Sequence, residues 1–171
     1  MVAIILAIIP QCMVFCCRSF ARKVPTNYIL LSVFTLLETF AFMFIVSNYE
    51  TASVMSAAGM TVGMTLAITI YAWRTKTDFT AMGGFLLCLF IGMLMLSFCS
   101  LFFSFASWWH PVVAAITVVC YGLYLIFDTQ MIAGGRSHQL SMDDYVIGAM
   151  LLYTDIMMIF LELLKAFGDK K

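Results

Sequence analysis

Six runs of apolar residues, most of them near 20 residues long, dominate the sequence and limit what it can fold into. Inside a bilayer the backbone must satisfy its own hydrogen bonds, so only helices and closed barrels span it. These runs are continuous rather than alternating, which excludes barrel strands. Only 11% of the residues are charged, against about 25% in an average soluble domain. The sequence therefore predicts an all-α integral membrane protein.

We predict a single transmembrane domain over residues 1–171, built as a six-helix bundle. The spans are expected at about residues 2–17, 28–47, 52–73, 82–105, 111–133 and 144–167. The loops between them are short, so consecutive helices should be antiparallel neighbours. Gly134 and Gly135 should end the fifth span, and residues 141–144 match a capping box that would start the sixth.

The basic residues predict how the bundle is oriented. Loops one, three and five hold six of them: Arg18, Arg22, Lys23, Arg74, Lys76 and Arg136. The other three lie at the C-terminal end: Lys165, Lys170 and Lys171. We therefore expect loops one, three and five on the cytosolic or matrix side, and the C-terminus across the membrane.

Small residues recur at helical spacing along the third predicted span. Gly59 and Gly63 stand in the sequence GMTVG, and such residues let helices approach closely within lipid. We expect them to serve helix packing, within the molecule rather than between two copies.

The sequence offers little for catalysis or for a resident cofactor. It lacks the G-x-S-x-G and H-E-x-x-H patterns, and His110 and His138 both lie in predicted loops. All six cysteines fall within apolar runs, where cysteine behaves as a small hydrophobic residue. The formal net charge is zero, which argues against binding to nucleic acid. We expect neither an enzyme nor a bound cofactor.

The most informative residues are acids placed inside the predicted spans: Glu38, Asp128, Asp155 and Glu162. An ionised carboxylate at mid-bilayer costs roughly 3 kcal/mol or more. These acids must therefore be protonated, share protons, meet a cation or line water. Glu162 should lie near the far interface beside Lys165, whereas Glu38 either lines a pathway or hydrogen-bonds between helices.

Asp128 and Asp155 lie on consecutive antiparallel spans and differ in predicted depth by about 7 Å. A connecting loop that dips inward would bring the two carboxyl groups level. They would then share one proton, because like charges disfavour double ionisation. Such a pair would be a pH-sensitive latch, closed when protonated, and its ionised form would attract Ca²⁺ transiently. The alternative is that each acid only hydrogen-bonds Tyr124, Tyr153, Thr129 or a backbone group.

The segments that carry these acids resemble the C-terminal signature of the Bax inhibitor / Lifeguard family, and its Lifeguard branch most of all. The matching stretches are YLIFDTQMIAGG (residues 124–135), LSMDDYVIGAMLLYTDIMMIFLELL (140–164), KVPTNYILLSVFTLLET (23–39) and TKTDFTAMGGFL (75–86). The resemblance implies a seven-helix fold with a central last helix, a pH-sensitive calcium leak of intracellular membranes, and suppression of cell death. It places the paired aspartates of the family at Asp128 and Asp155, and an acid of its third helix at Glu38.

The sequence departs from that family pattern at its start, since the first helix has no counterpart here. We therefore expect six helices around a central last one, and a protein partner that covers the face left open. This leaves a second hypothesis, a non-transporting accessory subunit of a larger membrane complex. The expected location is the endoplasmic reticulum, the Golgi or the mitochondrial inner membrane, and Ca²⁺ is expected only as a permeant ion.

Overall fold

The computed structural model describes residues 12, 21–100, 102 and 109–171. This part of the chain contains five long helices: α1 (Thr26–Val46), α2 (Thr51–Arg74), α3 (Gly83–Ser100), α4 (Trp109–Ala133) and α5 (Tyr145–Phe167). One-turn 3-10 helices, Phe79–Met82 and Met142–Asp144, precede α3 and α5. Each long helix, α3 together with its preceding turn, is long and apolar enough to cross a bilayer. The chain is an all-α integral membrane protein, as predicted.

Helices α1 to α5 correspond to the second to sixth predicted spans. The described bounds of α1, α2 and α5, the start of α3 and the end of α4 lie within two residues of the predicted ones. The predicted end of the fourth span, near residue 105, lies outside the described residues. The first predicted span lies outside the described residues apart from Cys12. The described part therefore contains five helices instead of the six predicted for the whole chain.

Helix α5 is the centre of the described bundle. One hydrophobic cluster joins it to α2 and α4 through Ala57, Leu125 and Ile159. A second cluster joins it to α1 through Phe34 and Met150. Between helices in lipid such clusters stabilise through van der Waals packing, and α5 contributes to both of them. The central position predicted for the last helix is confirmed.

The connecting segments gather at two ends of the bundle. We call the first face the end that holds residues 75–78 and 134–141, where the Ser137 amide donates to Asp78 Oδ2 at 2.9 Å. We call the second face the end that holds residues 47–50 and 168–171, where Glu50 N donates to the Asp169 carbonyl at 3.0 Å. The C-terminus thus lies opposite loops three and five. Which face is cytosolic stays a prediction.

The expected packing of Gly59 and Gly63 is not observed within the described residues. A Cβ built on either glycine would meet no heavy atom within 4 Å. Helix α2 packs instead through Ser53, Ala57 and Thr61, which form a second row of small residues on another side of the same helix. Spacing alone did not distinguish the two rows, because both repeat every four residues.

The expected capping box at residues 141–144 is also different in the structure. Ser141 caps the 3-10 turn before α5, where its hydroxyl accepts from the Asp143 amide at 3.4 Å. Asp144 is the residue before α5, and its side chain makes no capping bond to that helix. Its carboxylate is used in an ion pair with Arg22 at 2.7 Å.

Candidate functional site

The structure brings the carboxyl groups of Asp128 on α4 and Asp155 on α5 within hydrogen-bonding range of each other. Both residues are buried, with 4% and 5% of their surface exposed. Two ionised carboxylates only accept hydrogen bonds, so a bond between them needs a proton on one of the two acids. The arrangement is therefore suited to holding a single proton between two side chains.

Side-chain direction explains how two residues at different depths meet. Asp128 lies five residues before the end of α4, and Asp155 lies ten residues after the start of α5, a difference in depth of about 7 Å. Side chains on a helix lean towards its N-terminus. Because α4 and α5 run antiparallel, the two aspartates lean towards each other. The dipping loop expected from the sequence is not needed to close the gap.

Two of the side chains considered as partners of the acids, Tyr124 and Tyr153, hydrogen-bond elsewhere. The Tyr124 hydroxyl donates to the Leu86 carbonyl, and the side chain of Tyr153 hydrogen-bonds Thr39. The Thr129 hydroxyl is buried and bonds no described group, and Oδ2 of Asp155 likewise has no donor. Tyr124 and Tyr153 therefore bond groups outside the acid pair, and the role of the pair stays a prediction.

The acid pair borders a cavity of about 460 Å³ between α3, α4 and α5, which we call the acid cavity. Its wall is mostly apolar, and the two aspartates are the acidic groups in it. The residues that line it include Phe90, Met93, Tyr121, Asp128, Thr154 and Asp155. A carboxyl pair beside an empty volume has room for water or for a hydrated cation.

Glu38 does not join the pair. It lies half-buried on α1, within electrostatic range of Tyr153, and does not line the acid cavity. Glu162 lies further along α5, where its Oε1 accepts from Lys165 Nζ at 2.5 Å. Lys165 is therefore beside Glu162 as expected, although the Glu162 carboxylate is buried and borders a second cavity. The roles of both glutamates stay predictions.

Metal binding at the pair would involve few protein ligands. The described residues contain no group of three or more histidine, cysteine, aspartate or glutamate side chains placed to hold a metal ion. Calcium takes six to eight oxygen ligands, and two aspartates supply at most four oxygens. Any Ca²⁺ here would keep much of its water, as a passing ion does.

Comparison with known proteins supports the resemblance seen in the sequence. The model of the family described as "Inhibitor of apoptosis-promoting Bax1" matches residues 1–171. Protein lifeguard 3 of Homo sapiens is 37% identical over 158 residues, which is 91% of this chain and 51% of the relative. The chain belongs to the Bax inhibitor / Lifeguard family.

Two further relatives carry the Lifeguard name. Protein lifeguard 3 of Mus musculus is 36% identical over 158 residues, covering 91% of this chain and 51% of the relative. Protein lifeguard 4 of Mus musculus is 36% identical over 144 residues, covering 82% of this chain and 57% of the relative. This Lifeguard-family chain thus spans about half the length of the curated relatives that it matches.

Gln130 lies in the stretch YLIFDTQMIAGG, but no pattern in the sequence indicates its role. Gln130 is 1% exposed and makes three hydrogen bonds to the backbone. Its Oε1 accepts from the Phe79 amide at 2.9 Å, and its Nε2 donates to the carbonyls of Ala72 at 3.2 Å and Thr77 at 3.0 Å. One amide side chain therefore fixes the end of α2 and the start of the 3-10 turn to α4, two residues from Asp128.

The first face of this Lifeguard-family chain is also held by charged side chains. Arg22 donates to Asp144 twice, from Nε to Oδ1 at 2.7 Å and from Nη2 to Oδ2 at 2.8 Å. Hydrogen bonds from Ser137 and Thr80 hold the pKa of Asp78 below its ordinary value. These contacts fix three segments around the acid cavity: the one before α1, the 3-10 turn Phe79–Met82 and the loop before α5.

Proposed function

We propose that this chain is a pH-sensitive calcium leak channel in which Asp128 and Asp155 form the gate. The observation that carries the proposal is the contact between their carboxyl groups, deep within the membrane domain and beside a cavity of about 460 Å³. Intramembrane ionisable residues generally mark pathways for ions or protons. A packing role alone would not need two acids in contact.

The gate works through one proton. With one proton between them, the two acids form a singly charged hydrogen-bonded bridge that holds α4 against α5. Loss of that proton leaves two negative charges in contact, which repel strongly in a low-dielectric interior. The helices separate, and the anions attract a divalent cation with oxygen-preferring chemistry. The leak should therefore increase as the pH rises.

A flux measurement with matched variants tests the gate. The full chain is reconstituted in liposomes loaded with a calcium dye, and influx is followed between about pH 6 and about pH 8, where a shared proton rather than an isolated aspartate would titrate. Parent influx should rise with pH. Asp128→Asn and Asp155→Asn should each remove most of this pH dependence, because neither leaves a pair of acids.

Asp143→Asn is the matched control, since Asp143 is an exposed aspartate in the loop before α5. It should retain the influx and the pH dependence of the parent. A parent that passes no calcium at any pH would contradict the channel and favour the accessory-subunit hypothesis. If both asparagine variants keep the pH dependence of the parent, the aspartate gate is excluded.

The cellular role proposed with this activity is control of calcium stores and suppression of cell death. The description of the family as inhibitors of apoptosis-promoting Bax1 supports the second part. We place the chain in an intracellular membrane, with a protein partner packed against the bundle. Expression in cells lacking a related protein should lower the calcium content of the stores. Asp155→Asn should not lower it if the leak is the active function.

A further inference from the structure

A second cavity lies between the acid cavity and the second face of the bundle. It has a volume of about 680 Å³, and we call it the vestibule. Its wall carries polar side chains from α3, α4 and α5 and from the C-terminal segment: Ser97, Ser100, His110, Thr117, Glu162, Lys165 and Lys170. The hydroxyl and carboxylate oxygens among them can replace part of the water around an ion, and Lys165 is paired with Glu162.

The vestibule and the acid cavity share part of their walls. Phe90 and Met93 of α3 and Tyr121 of α4 line both of them. Tyr121 also lies within electrostatic range of both Asp155 and Glu162, one acid from each cavity. These three side chains therefore lie where one cavity ends and the other begins.

Met93 is the most enclosed part of this boundary. It is 8% exposed, whereas Phe90 is 47% exposed. The Met93 thioether and the Phe90 ring offer Ca²⁺ no oxygen ligand, and the Tyr121 hydroxyl is the one oxygen among these three side chains. Apolar constrictions of this kind close a path by excluding water, even where the gap would admit an ion.

We propose that Phe90, Met93 and Tyr121 form an apolar constriction between the vestibule and the acid pair, and that Met93 sets its resistance to cations. The proposal rests on the proposed leak and adds to it a route and a second barrier. An ion enters from the second face, waits among the polar groups of the vestibule, and passes the constriction before it reaches Asp128 and Asp155. The side chain at position 93 then decides how readily water fills the gap.

Flux through variants of two methionines on one helix tests the constriction. At about pH 8, where the proposed aspartate gate is open, Met93→Ala should raise calcium influx at least severalfold. Met95→Ala removes the same atoms from a methionine that is 58% exposed on the same helix, and it should leave influx at the parent level. Met93→Leu keeps volume and apolar character, and it should also behave as the parent. If Met93→Ala leaves influx unchanged while the aspartate variants alter it, the proposed constriction is wrong.

A second measurement does not depend on flux. Ser97→Cys places a thiol in the vestibule and Thr154→Cys places one in the acid cavity. In nanodiscs, a cationic thiol reagent should modify residue 97 quickly and residue 154 slowly, as read by mass spectrometry of each peptide against the parent background. Adding Met93→Ala should speed modification at residue 154 and leave residue 97 unchanged.

The two measurements separate failure of the constriction from failure of the leak. Absence of flux in every variant would contradict the proposed function. The constriction would still be supported if residue 154 reacts slowly in the parent and quickly once Met93→Ala is added. Equal modification of residues 97 and 154 in the otherwise unchanged chain would overturn it. Gel filtration of Met93→Ala and Met93→Leu shows that both variants are folded before either assay.

Discussion

Replacing Gln130 with methionine should destabilise the first face by an amount that follows from its hydrogen bonds. The side chain is 1% exposed, and methionine fills a similar volume without polar atoms. The change removes one acceptor for the Phe79 amide and two donations, to Ala72 and Thr77. Each bond contributes about 1 kcal/mol net, so the sum is about 3 kcal/mol. Buried backbone groups left without partners would increase the loss.

The effect of Gln130→Met should be visible both globally and locally. Equilibrium unfolding in mixed detergent micelles, followed by circular dichroism, reports the free energy of unfolding. Hydrogen exchange with mass spectrometry should show faster exchange over residues 75–80, because the Phe79 amide loses its acceptor. Helix α5 should exchange at the parent rate, since Gln130 makes no hydrogen bond to it.

Gln139→Met is the matched control for this substitution. Gln139 is an exposed glutamine whose Oε1 accepts from the Gly135 amide at 2.9 Å. Surface substitutions usually change stability by less than about 0.5 kcal/mol, and we expect the same here. A loss of under about 1 kcal/mol for Gln130→Met, with unchanged exchange at residues 75–80, would refute the reasoning.

Three further changes test other parts of the bundle. Because folding lowers the pKa of Asp78, its contribution to stability is complete above about pH 4 and declines as the pH falls further; Asp78→Asn should flatten this decline in acid unfolding curves. Gly168→Ala places a Cβ 2.9 Å from Tyr49 Cδ1 and against the Leu164 carbonyl, and it should lower the free energy of unfolding by about 1–3 kcal/mol. Met150→Ala removes a 0% exposed side chain from the contact between α1 and α5 and should lower the free energy of unfolding by about 2–5 kcal/mol. Met55→Ala, at a 68% exposed position, should lower it much less in the same titration.

The helices could be predicted because their signals are local. Apolar runs of membrane-spanning length predicted both bounds of α1, α2 and α5 and the end of α4 to within two residues. Gly134 and Gly135 both adopt positive φ, at 75° and 72°, which glycine tolerates and most residues do not. The two adjacent glycines therefore predict the end of α4 at Ala133.

The pairing of Asp128 with Asp155 followed from the lack of bases inside the spans and from the antiparallel order of the last two helices. No pattern in the sequence measures their separation, and the lean of the two side chains, rather than a dipping loop, closes the difference in depth. Their role in gating stays a proposal.

Contacts between distant segments could not be predicted. Gln130 bonds to residues more than 50 positions away, and Arg22 pairs with Asp144 at a separation of 122 residues. A local pattern instead suggested a capping role around Asp144. The row of α2 that packs against the described residues could not be selected for a similar reason, because Gly63 and Thr61 stand on two rows of small residues with equal spacing.

Infrared difference spectroscopy tests most directly whether the pair shares a proton. Acidifying the reconstituted parent from about pH 8 to about pH 6, well above the titration of an isolated aspartate, should produce the carbonyl band of a protonated carboxyl group. The double variant Asp128→Asn, Asp155→Asn should lack that band. The same band in both proteins would assign the proton to Glu38 or Glu162 and contradict the aspartate gate.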